Sequence, residues 1–322
     1  MTKPAKFDIS GAKKELKALR ELEQYQRDHA TNILRPDQIH GRDWRSAKVL
    51  MTTLGMVEGG KPRRITKQDL IAFNKNIARL ESRVERGITA NEIINLSTEE
   101  DKKRAKEQIH FAVPVSMKYG SIMFLTNSGP ESKVLRHSVQ IILDDYSKGI
   151  SKGTPLQAAK EASKGNLLIE CDCEHFRYVY RYIATIMRSN AGRPEHGFPK
   201  LKNPYLEGIA CKHVLRVVTE LNSSIFIWRK IATMIESDRA NNASKELKRR
   251  QKTITLTQKE ATELSAKQKN NIREIKAVAR KAPPPTRPKR ASTKPISNVA
   301  ELMAVTGLTM EQITAMIAAQ KG

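Results

Sequence analysis

The first sixty residues carry a helical pattern of apolar positions. A helix over residues 12–34 is predicted by leucines three residues apart among charged side chains. These leucines are Leu16, Leu19 and Leu22. A second helix is predicted over residues 44–54, where Gly55 ends it and a glycine-rich loop follows. Residues 1–60 are therefore interpreted as an N-terminal helical region.

Residues 61–110 continue the helical pattern with one apolar face. Its members recur at intervals of three and four residues and are Leu70, Phe73, Ile77, Leu80 and Val84. Thr66 is predicted to cap the helix that carries them. Ser97 is predicted to begin another helix, because residues 97–100 have the form of a capping box. Residues 89–96 are predicted to form a short helix or turn between the two.

The apolar pattern changes at Ala112 from helical spacing to alternation. Strands are predicted over residues 121–126, 137–143 and 167–171. A helix over residues 156–164 is predicted before the last strand, because a Thr-Pro pair begins it and a glycine ends it. These elements indicate a small antiparallel sheet within a mixed domain over residues 111–235. We therefore expect an α+β fold that is mainly helical.

The composition becomes strongly basic after a helix predicted over residues 212–236. Residues 236–295 hold 17 lysines and arginines against six acidic residues. A capping box predicts a further helix over residues 257–280, whose apolar positions are too sparse to bury much. We interpret residues 236–281 as a basic helical segment.

The C-terminal residues divide into a linker and a pair of short helices. Residues 282–297 form a basic proline-rich linker, which is semi-rigid because consecutive prolines favour an extended backbone. Residues 298–322 show two short helical patterns with too few apolar side chains for an independent core. We expect these helices to dock on a protein partner, with folding back onto the main body as the alternative.

All three cysteines of the chain lie in one pattern with a histidine. Cys171 and Cys173 are separated by one residue, and Cys211 and His213 repeat that spacing after 37 intervening residues. Side chains two residues apart in a strand point to the same face, so both sulfurs can reach one ion. A Cys₃His set is what a closed structural zinc site requires. We therefore predict Zn²⁺ as the cofactor, joining a hairpin to a helix.

The ligand set also bears on the role of the metal. Four protein ligands favour a structural site, because catalytic zinc usually keeps one position open for water. His175 and His196 are rival candidates for the histidine ligand. Three thiolates and Zn²⁺ leave one negative charge, which Lys212 and Arg177 nearby would offset.

The CxC…CxH pattern resembles the SWIM-type zinc finger. The resemblance covers residues 167–221, where a strand precedes the first pair and a helix opens at the second. The long insertion between the pairs, with an aromatic helix of its own, departs from a compact finger. The resemblance implies the ligands Cys171, Cys173, Cys211 and His213. It also implies binding of nucleic acid or protein, and no catalysis.

A net charge of +24 favours a polyanionic partner, and nucleic acid ahead of a membrane surface. The helix predicted over residues 176–187 interleaves aromatic and basic residues, a mix that stacks bases and holds phosphates. Candidate contacts are Arg177, Arg181, Tyr178, Tyr182, Lys212, Arg216, Lys248, Arg249 and Arg250. The alternative is that the tyrosines cover the metal site and the core while the arginines are solvated.

Several classes of protein are not expected from this sequence. No segment reaches the ~18 apolar residues of a membrane span, and no apolar leader follows Met1. An odd number of cysteines fits metal binding in a reducing, cytoplasmic compartment better than disulfides. The motifs of phosphate-binding loops, nucleophile elbows and zinc deaminases are missing, so we expect no enzyme. Asp144 and Asp145 are a candidate magnesium pair, although such pairs are more often solvated turns.

A wider stretch of the chain resembles uncharacterised structural proteins of large tailed bacteriophages. The residues that carry it are 109–114, 126–130, the CxC pair and an Asn-Pro at 203–204 ahead of the CxH pair. It implies incorporation into a virion, with zinc only as a staple. The predicted function is non-enzymatic zinc binding with nucleic-acid binding through basic surfaces. The alternative is a structural or assembly component of a phage particle.

Overall fold

The computed structural model describes residues 30–34, 51–56, 60–82, 87–130, 132, 134–243 and 253–269. The chain forms two compact units. The described part of the larger unit lies within Leu80–Glu195 and Glu207–Arg273, and that of the smaller within Ala30–Arg79 and His196–Leu206. Residues 12–29 of the helix predicted over 12–34, residues 270–280 of the helix predicted over 257–280, the linker 282–297 and the helices of 298–322 lie outside the described residues. The prediction is wrong for residues 30–34, which are not helical because Leu34 forms an isolated β-bridge with Phe198.

The strands bear out the predicted antiparallel sheet and extend it. They are β1 (Met51–Thr52), β2 (Arg63–Arg64), β3 (Ile88–Thr89), β4 (Ala112–Lys118), β5 (Ser121–Asn127), β6 (Arg136–Leu143), β7 (Asn166–Cys171) and β8 (Ile254–Thr255). Strands β3 to β8 form one antiparallel sheet in the order β3-β7-β6-β5-β4-β8, and β1 pairs with β2. The sequence predicts β5, β6 and β7. It misses β4, whose first four residues are all buried and therefore show no alternation.

The helices complete an α+β fold, as the sequence predicts. They are α1 (Lys67–Glu81), α2 (Ala90–Leu96), α3 (Glu99–Gln108), α4 (Tyr146–Gly149), α5 (Pro155–Lys164), α6 (Arg181–Ile186), α7 (Lys212–Ser223), α8 (Ile225–Ala243) and α9 (Gln258–Lys269). A π-helical turn, Phe176–Tyr180, leads into α6. The predicted caps Thr66 and Thr154 are confirmed, because each side chain accepts a hydrogen bond from the backbone three residues on.

The predicted cap at Ser97 is wrong by one residue. Thr98 caps α3, because its hydroxyl accepts a hydrogen bond from the N–H of Asp101 at 3.2 Å. Ser97 instead ends α2 and donates its hydroxyl to the carbonyl of Ile93 at 2.7 Å. Because the two helices meet with no loop between them, the hydroxyl of Ser97 ends the first helix and the hydroxyl of Thr98 begins the second.

Two predicted helices differ from those observed. The helix predicted over 44–54 is wrong at its C-terminal end, because Met51 and Thr52 form strand β1, which pairs with β2. The helix predicted over 212–236 is two helices, α7 and α8, with an extended backbone at Ser224 between them. The indole N–H of Trp228 donates to the carbonyl of Leu221 at 2.8 Å, which satisfies an acceptor that the break leaves free.

The two faces of the large sheet are covered by different helices. Phe124, Val139 and Cys171 are cross-strand neighbours on one face, and α7 packs there because its His213 reaches Cys171. The opposite face carries the cross-strand pair Val113 and Leu125. These two join a buried apolar cluster with Leu256, which directly follows β8, and with residues of α9.

Helix α9 buries more than its sequence predicts. Ala261 and Leu264 are buried in that cluster, although its apolar positions appear sparse. The side-chain amide of Gln268 also bonds both the N–H and the carbonyl of Ala112, at 2.8 and 3.0 Å. The amide therefore takes the place of a neighbouring strand at the edge of β4.

The smaller unit is built around α1. The predicted apolar face is buried, including Leu70, Phe73 and Ile77, whereas Val84 lies outside the described residues. The ring of Phe73 packs on that of Phe198 at a centroid distance of 4.2 Å. Leu34 and Phe198 also exchange backbone hydrogen bonds of 2.8 and 2.9 Å, so a distant loop is fixed to this core.

Lys200 is fully buried in the smaller unit. Its ammonium donates to the carbonyl of Thr31 at 2.8 Å. Burial lowers the pKa of Lys200 to about 7, because the low-dielectric interior disfavours the charged form. The lysine therefore titrates near neutral pH in the folded state and near its ordinary value in the unfolded state.

Replacing Leu264 with Ala should destabilise the larger unit by about 2–4 kcal/mol, because a buried side chain is lost from the α9 cluster. Urea unfolding monitored by circular dichroism measures this. Thr262→Ala on the exposed face of the same helix is the matched control and should change stability little. Equal effects of the two variants would contradict the packing of α9 on the sheet.

The stability of the smaller unit should rise between about pH 7 and pH 10. In that window the unfolded state keeps the Lys200 proton that the folded state has released, so raising the pH favours folding. Hydrogen-exchange protection of the Phe198 amide, corrected for intrinsic rates, measures this. Lys200→Met should flatten the pH dependence, whereas Lys202→Met, at an exposed position, should leave it. A flat profile in the wild type would show that Lys200 stays charged.

Candidate metal centre

The four predicted ligands converge in the larger unit. Cys171 ends β7, Cys173 follows two residues later, Cys211 is the N-cap of α7 and His213 lies in its first turn. All four are buried, with at most 3% of each residue exposed. Their ligand atoms lie within 4.8 Å of one another. This Cys₃His group could therefore bind a metal ion.

The distances fit a tetrahedral ion. The Nδ1 atom of His213 lies 3.9 Å from the Sγ atoms of both Cys171 and Cys211. Metal–sulfur and metal–nitrogen bonds of about 2.3 and 2.0 Å place such atoms about 3.5 Å apart in a tetrahedron. A contraction of a few tenths of an ångström would close the shell around an ion.

The CxC pair is a strand end followed by a helical turn. Cys171 points from β7, whereas the carbonyl of Cys173 accepts from the N–H of Arg177 at 3.0 Å and so starts the next helix. The N–H of Cys173 donates to the sulfur of Cys171 at 3.5 Å, and that of Phe176 to the sulfur of Cys173 at 3.2 Å. These donors favour sulfur in its anionic form. The two sulfurs thus converge through a turn, and not through strand alternation alone.

The three thiols of the group differ in the direction of their pKa shifts. Burial raises the pKa of Cys171 and Cys211 well above the ordinary value. Burial also acts to raise the pKa of Cys173, but hydrogen bonds from the other two thiols lower it well below that value. Burial lowers the pKa of His213, so its imidazole is neutral. A divalent ion would displace the thiol protons on binding.

Asp172 stands between the first two ligands and ties them to β6. Its carboxylate accepts from the N–H of Ser138 at 3.0 Å and contacts Nδ1 of His137 at 2.7 Å. Burial acts to lower the pKa of His137, but the hydrogen bond and the charge of Asp172 raise it above its usual range. The His137 ring packs on that of His213 at a centroid distance of 4.4 Å. This aspartate therefore connects both halves of the site.

Lys212 stands between the other two ligands. Only 9% of the residue is exposed, and its ammonium donates to the side-chain carbonyl of Gln108 at 2.6 Å. A Cβ atom on Gly129 would come within 2.2 Å of that nitrogen, so the absence of a side chain there makes room for the ammonium. Burial lowers the pKa of Lys212, and the nearby Cys173 and Cys211 act to raise it.

A buried carboxylate joins α3 to the helix of the insertion. The hydroxyl of Tyr180 donates to Asp101, and Nδ1 of His175 lies 3.5 Å from the same carboxylate. Burial raises the pKa of Tyr180, and the charge of Asp101 adds to the shift. His175, the rival ligand, thus faces Asp101. Within the described residues, the Cys₃His set is the only group of three or more His, Cys, Asp or Glu side chains that could hold a metal ion. It includes neither His175 nor His196.

The predicted contact helix does not present the expected basic surface. Arg177, Arg181 and Tyr182 are buried, and Tyr178 is half-buried. Arg177 donates to the carbonyl of Asp172 at 3.0 Å, and Arg181 pairs with Glu170 at 3.3 Å. The expectation that these arginines face solvent is wrong, because Arg177 bonds the backbone of the CxC turn and Arg181 pairs with a carboxylate of β7.

The other candidate contacts have different positions. Lys212 is buried as described above, and Arg216 is mostly buried in an ion pair of 2.8 Å with Glu220. Lys248, Arg249 and Arg250 lie outside the described residues. Asp145, of the candidate magnesium pair, binds Lys148 at 2.8 Å in a solvent-exposed turn.

Sequence reasoning does not identify the residues that support the ligands. His137 and Gln108 act from 35 and 104 residues away along the chain. No local motif marks them. The position of Asp172 between two cysteines is the one signal that could have singled it out.

Comparison with protein-family models, with curated proteins and with solved structures found no match for this chain. None of the described helices has the length and apolar character needed to cross a membrane.

Cys211→Ser should abolish metal binding and destabilise the larger unit, because the buried site then lacks a ligand. Removing a structural metal can cost up to about 10 kcal/mol of folding free energy. Elemental analysis and thermal unfolding, with and without chelator, measure both effects. His175→Gln is the control, because that histidine lies outside the ligand group, and it should keep the metal. A Cys211→Ser protein that retains a full equivalent of metal would refute the ligand assignment.

Proposed function

We propose that this chain is a zinc-binding, non-enzymatic protein that binds nucleic acid through basic surfaces. The observation that carries the metal assignment is the buried convergence of Cys171, Cys173, Cys211 and His213. Three soft thiolates with one imidazole in tetrahedral reach suit zinc better than calcium or magnesium, which prefer oxygen ligands.

The proposed role of the zinc is structural. Four protein ligands complete a tetrahedral shell and leave no position at which a substrate or water could bind. The ligands come from β7, from the turn after it and from α7, on either side of a 37-residue insertion. An ion bound there would hold the strand, the insertion and the helix together.

The proposed partner follows from charge. The chain carries 58 lysines and arginines against 34 acidic residues, an excess suited to phosphate backbones. Since Arg177 and Arg181 are buried, the proposed contact with nucleic acid is assigned to other basic residues. The strongest local excess lies in residues 236–295, which include Lys248, Arg249 and Arg250.

Binding to a nucleic acid of mixed sequence should weaken steeply with salt, with a log–log slope of about −0.9 per phosphate contact on duplex DNA. Fluorescence anisotropy between 50 and 200 mM salt measures the slope. Replacing Lys248, Arg249 and Arg250 together with Gln should make it shallower by up to about 2.7.

A matched triple variant tests whether position matters or only total charge. It replaces the exposed residues Lys103, Lys106 and Lys118 with Gln, so that the same net charge is removed elsewhere. The proposal predicts a smaller change in slope for this control. An affinity independent of salt would reject nucleic-acid binding and favour the alternative, an assembly component of a phage particle in which zinc is only a staple.

A further inference from the structure

Each pair of metal ligands encloses one charged residue. Asp172 lies between Cys171 and Cys173, and Lys212 lies between Cys211 and His213. Both side chains are largely buried, with 13% of the Asp172 side chain and 9% of the Lys212 residue exposed. Buried charges are costly unless they are paired or hydrogen-bonded, so their presence at both positions calls for a role. Neither belongs to the ligand group.

Asp172 acts on both halves of the centre. Its carboxylate accepts the N–H of Ser138, and the carbonyl of Ser138 in turn accepts the N–H of Asp172 at 3.2 Å. This exchange fixes the CxC turn to β6. The same carboxylate holds His137, whose ring lies against the ligand His213. The Asp172 side chain thus fixes the backbone of the CxC pair and orients the His137 ring that packs on the ligand His213.

Lys212 fixes the second pair to other elements of the fold. Its ammonium reaches the side chain of Gln108, at the end of α3, and lies against Gly129 in the loop after β5. The first turn of α7, which supplies both ligands of this pair, is thereby tied to two other elements. Lys212 is also the residue between the ligands Cys211 and His213 in the sequence. Three thiolates and a divalent ion carry one net negative charge, which one ammonium balances.

We propose that Asp172 and Lys212 are the positioning residues of this metal centre, each holding its ligand pair to a neighbouring element, with Lys212 also balancing the charge of the bound ion. This inference rests on the proposed zinc binding. Groups that orient metal ligands through hydrogen bonds typically change metal affinity 10- to 100-fold when removed. The two residues are therefore determinants of affinity, although neither touches the ion.

Zinc affinity of the full chain, measured by competition with a chromophoric chelator, tests the proposal. Asp172→Ala and Lys212→Met should each weaken binding by about 10- to 100-fold. Asp172→Asn, which keeps an acceptor for Ser138, and Lys212→Arg, which keeps the charge, should restore much of the loss. Gly129→Ala should also weaken binding, because the added methyl group displaces the ammonium without changing a ligand.

Cobalt substitution separates positioning from general stability. The visible absorption of Co²⁺ reports the geometry of its ligand shell, so Asp172→Ala should shift or broaden the bands of the tetrahedral site. Tyr146→Phe is the control, because it removes a buried hydrogen bond of 2.8 Å to Asp238 in the same unit. It should lower stability and leave both the spectrum and zinc affinity as in the wild type.

Two results would overturn the inference, and they are distinguishable. Wild-type protein that binds no zinc would refute the proposed function together with the positioning roles. Wild-type protein that binds zinc, with Asp172→Ala and Lys212→Met variants of unchanged affinity and spectrum, would refute the positioning roles alone.

Discussion

The burial of four metal ligands around one point is the constraint on which the larger unit depends. Cys171 and His213 come from a central sheet strand and from the helix on its face, separated by a long insertion. Burial of three sulfurs together disfavours their ionised forms and raises the pKa of Cys171 and Cys211. A divalent cation could bind there in place of the thiol protons.

The surroundings of the ligands are organised to keep them in place. Asp172 and Lys212 carry opposite charges and anchor the two ligand pairs to β6 and α3. Arg177 closes the first turn by donating to the carbonyl of Asp172, and Asp101 joins α3 to the insertion through Tyr180. The polar residues beside the candidate metal centre are therefore used in contacts within the fold.

The ligand group could be predicted because the types of its residues and their spacing along the chain are enough to identify it. Two CxC-like pairs contain every cysteine of the chain, and metal chemistry restricts what such a set can do. Strands β5, β6 and β7 were also predictable, because each carries an alternating or short apolar run between turn residues. Helix caps were predictable to within one residue, as Thr98 in place of Ser97 shows.

The rest depends on tertiary contacts that no local pattern encodes. Arg181 reads as a solvated helix residue, yet it is buried because Glu170 on β7 pairs with it. The apolar positions of α9 are too few in the sequence to indicate a core, yet Leu264 and Ala261 pack in a cluster with apolar residues of β4. Gln268 caps the edge of β4 from 156 residues away. An element that is buried on both sides shows no periodic change between apolar and polar residues, so its faces cannot be predicted from the sequence.

X-ray absorption at the zinc edge of the metal-loaded protein measures the ligand shell itself. We expect one zinc per chain with three sulfur ligands at about 2.3 Å and one nitrogen ligand at about 2.0 Å. A shell of oxygen and nitrogen alone, or a protein that takes up no zinc, would contradict it.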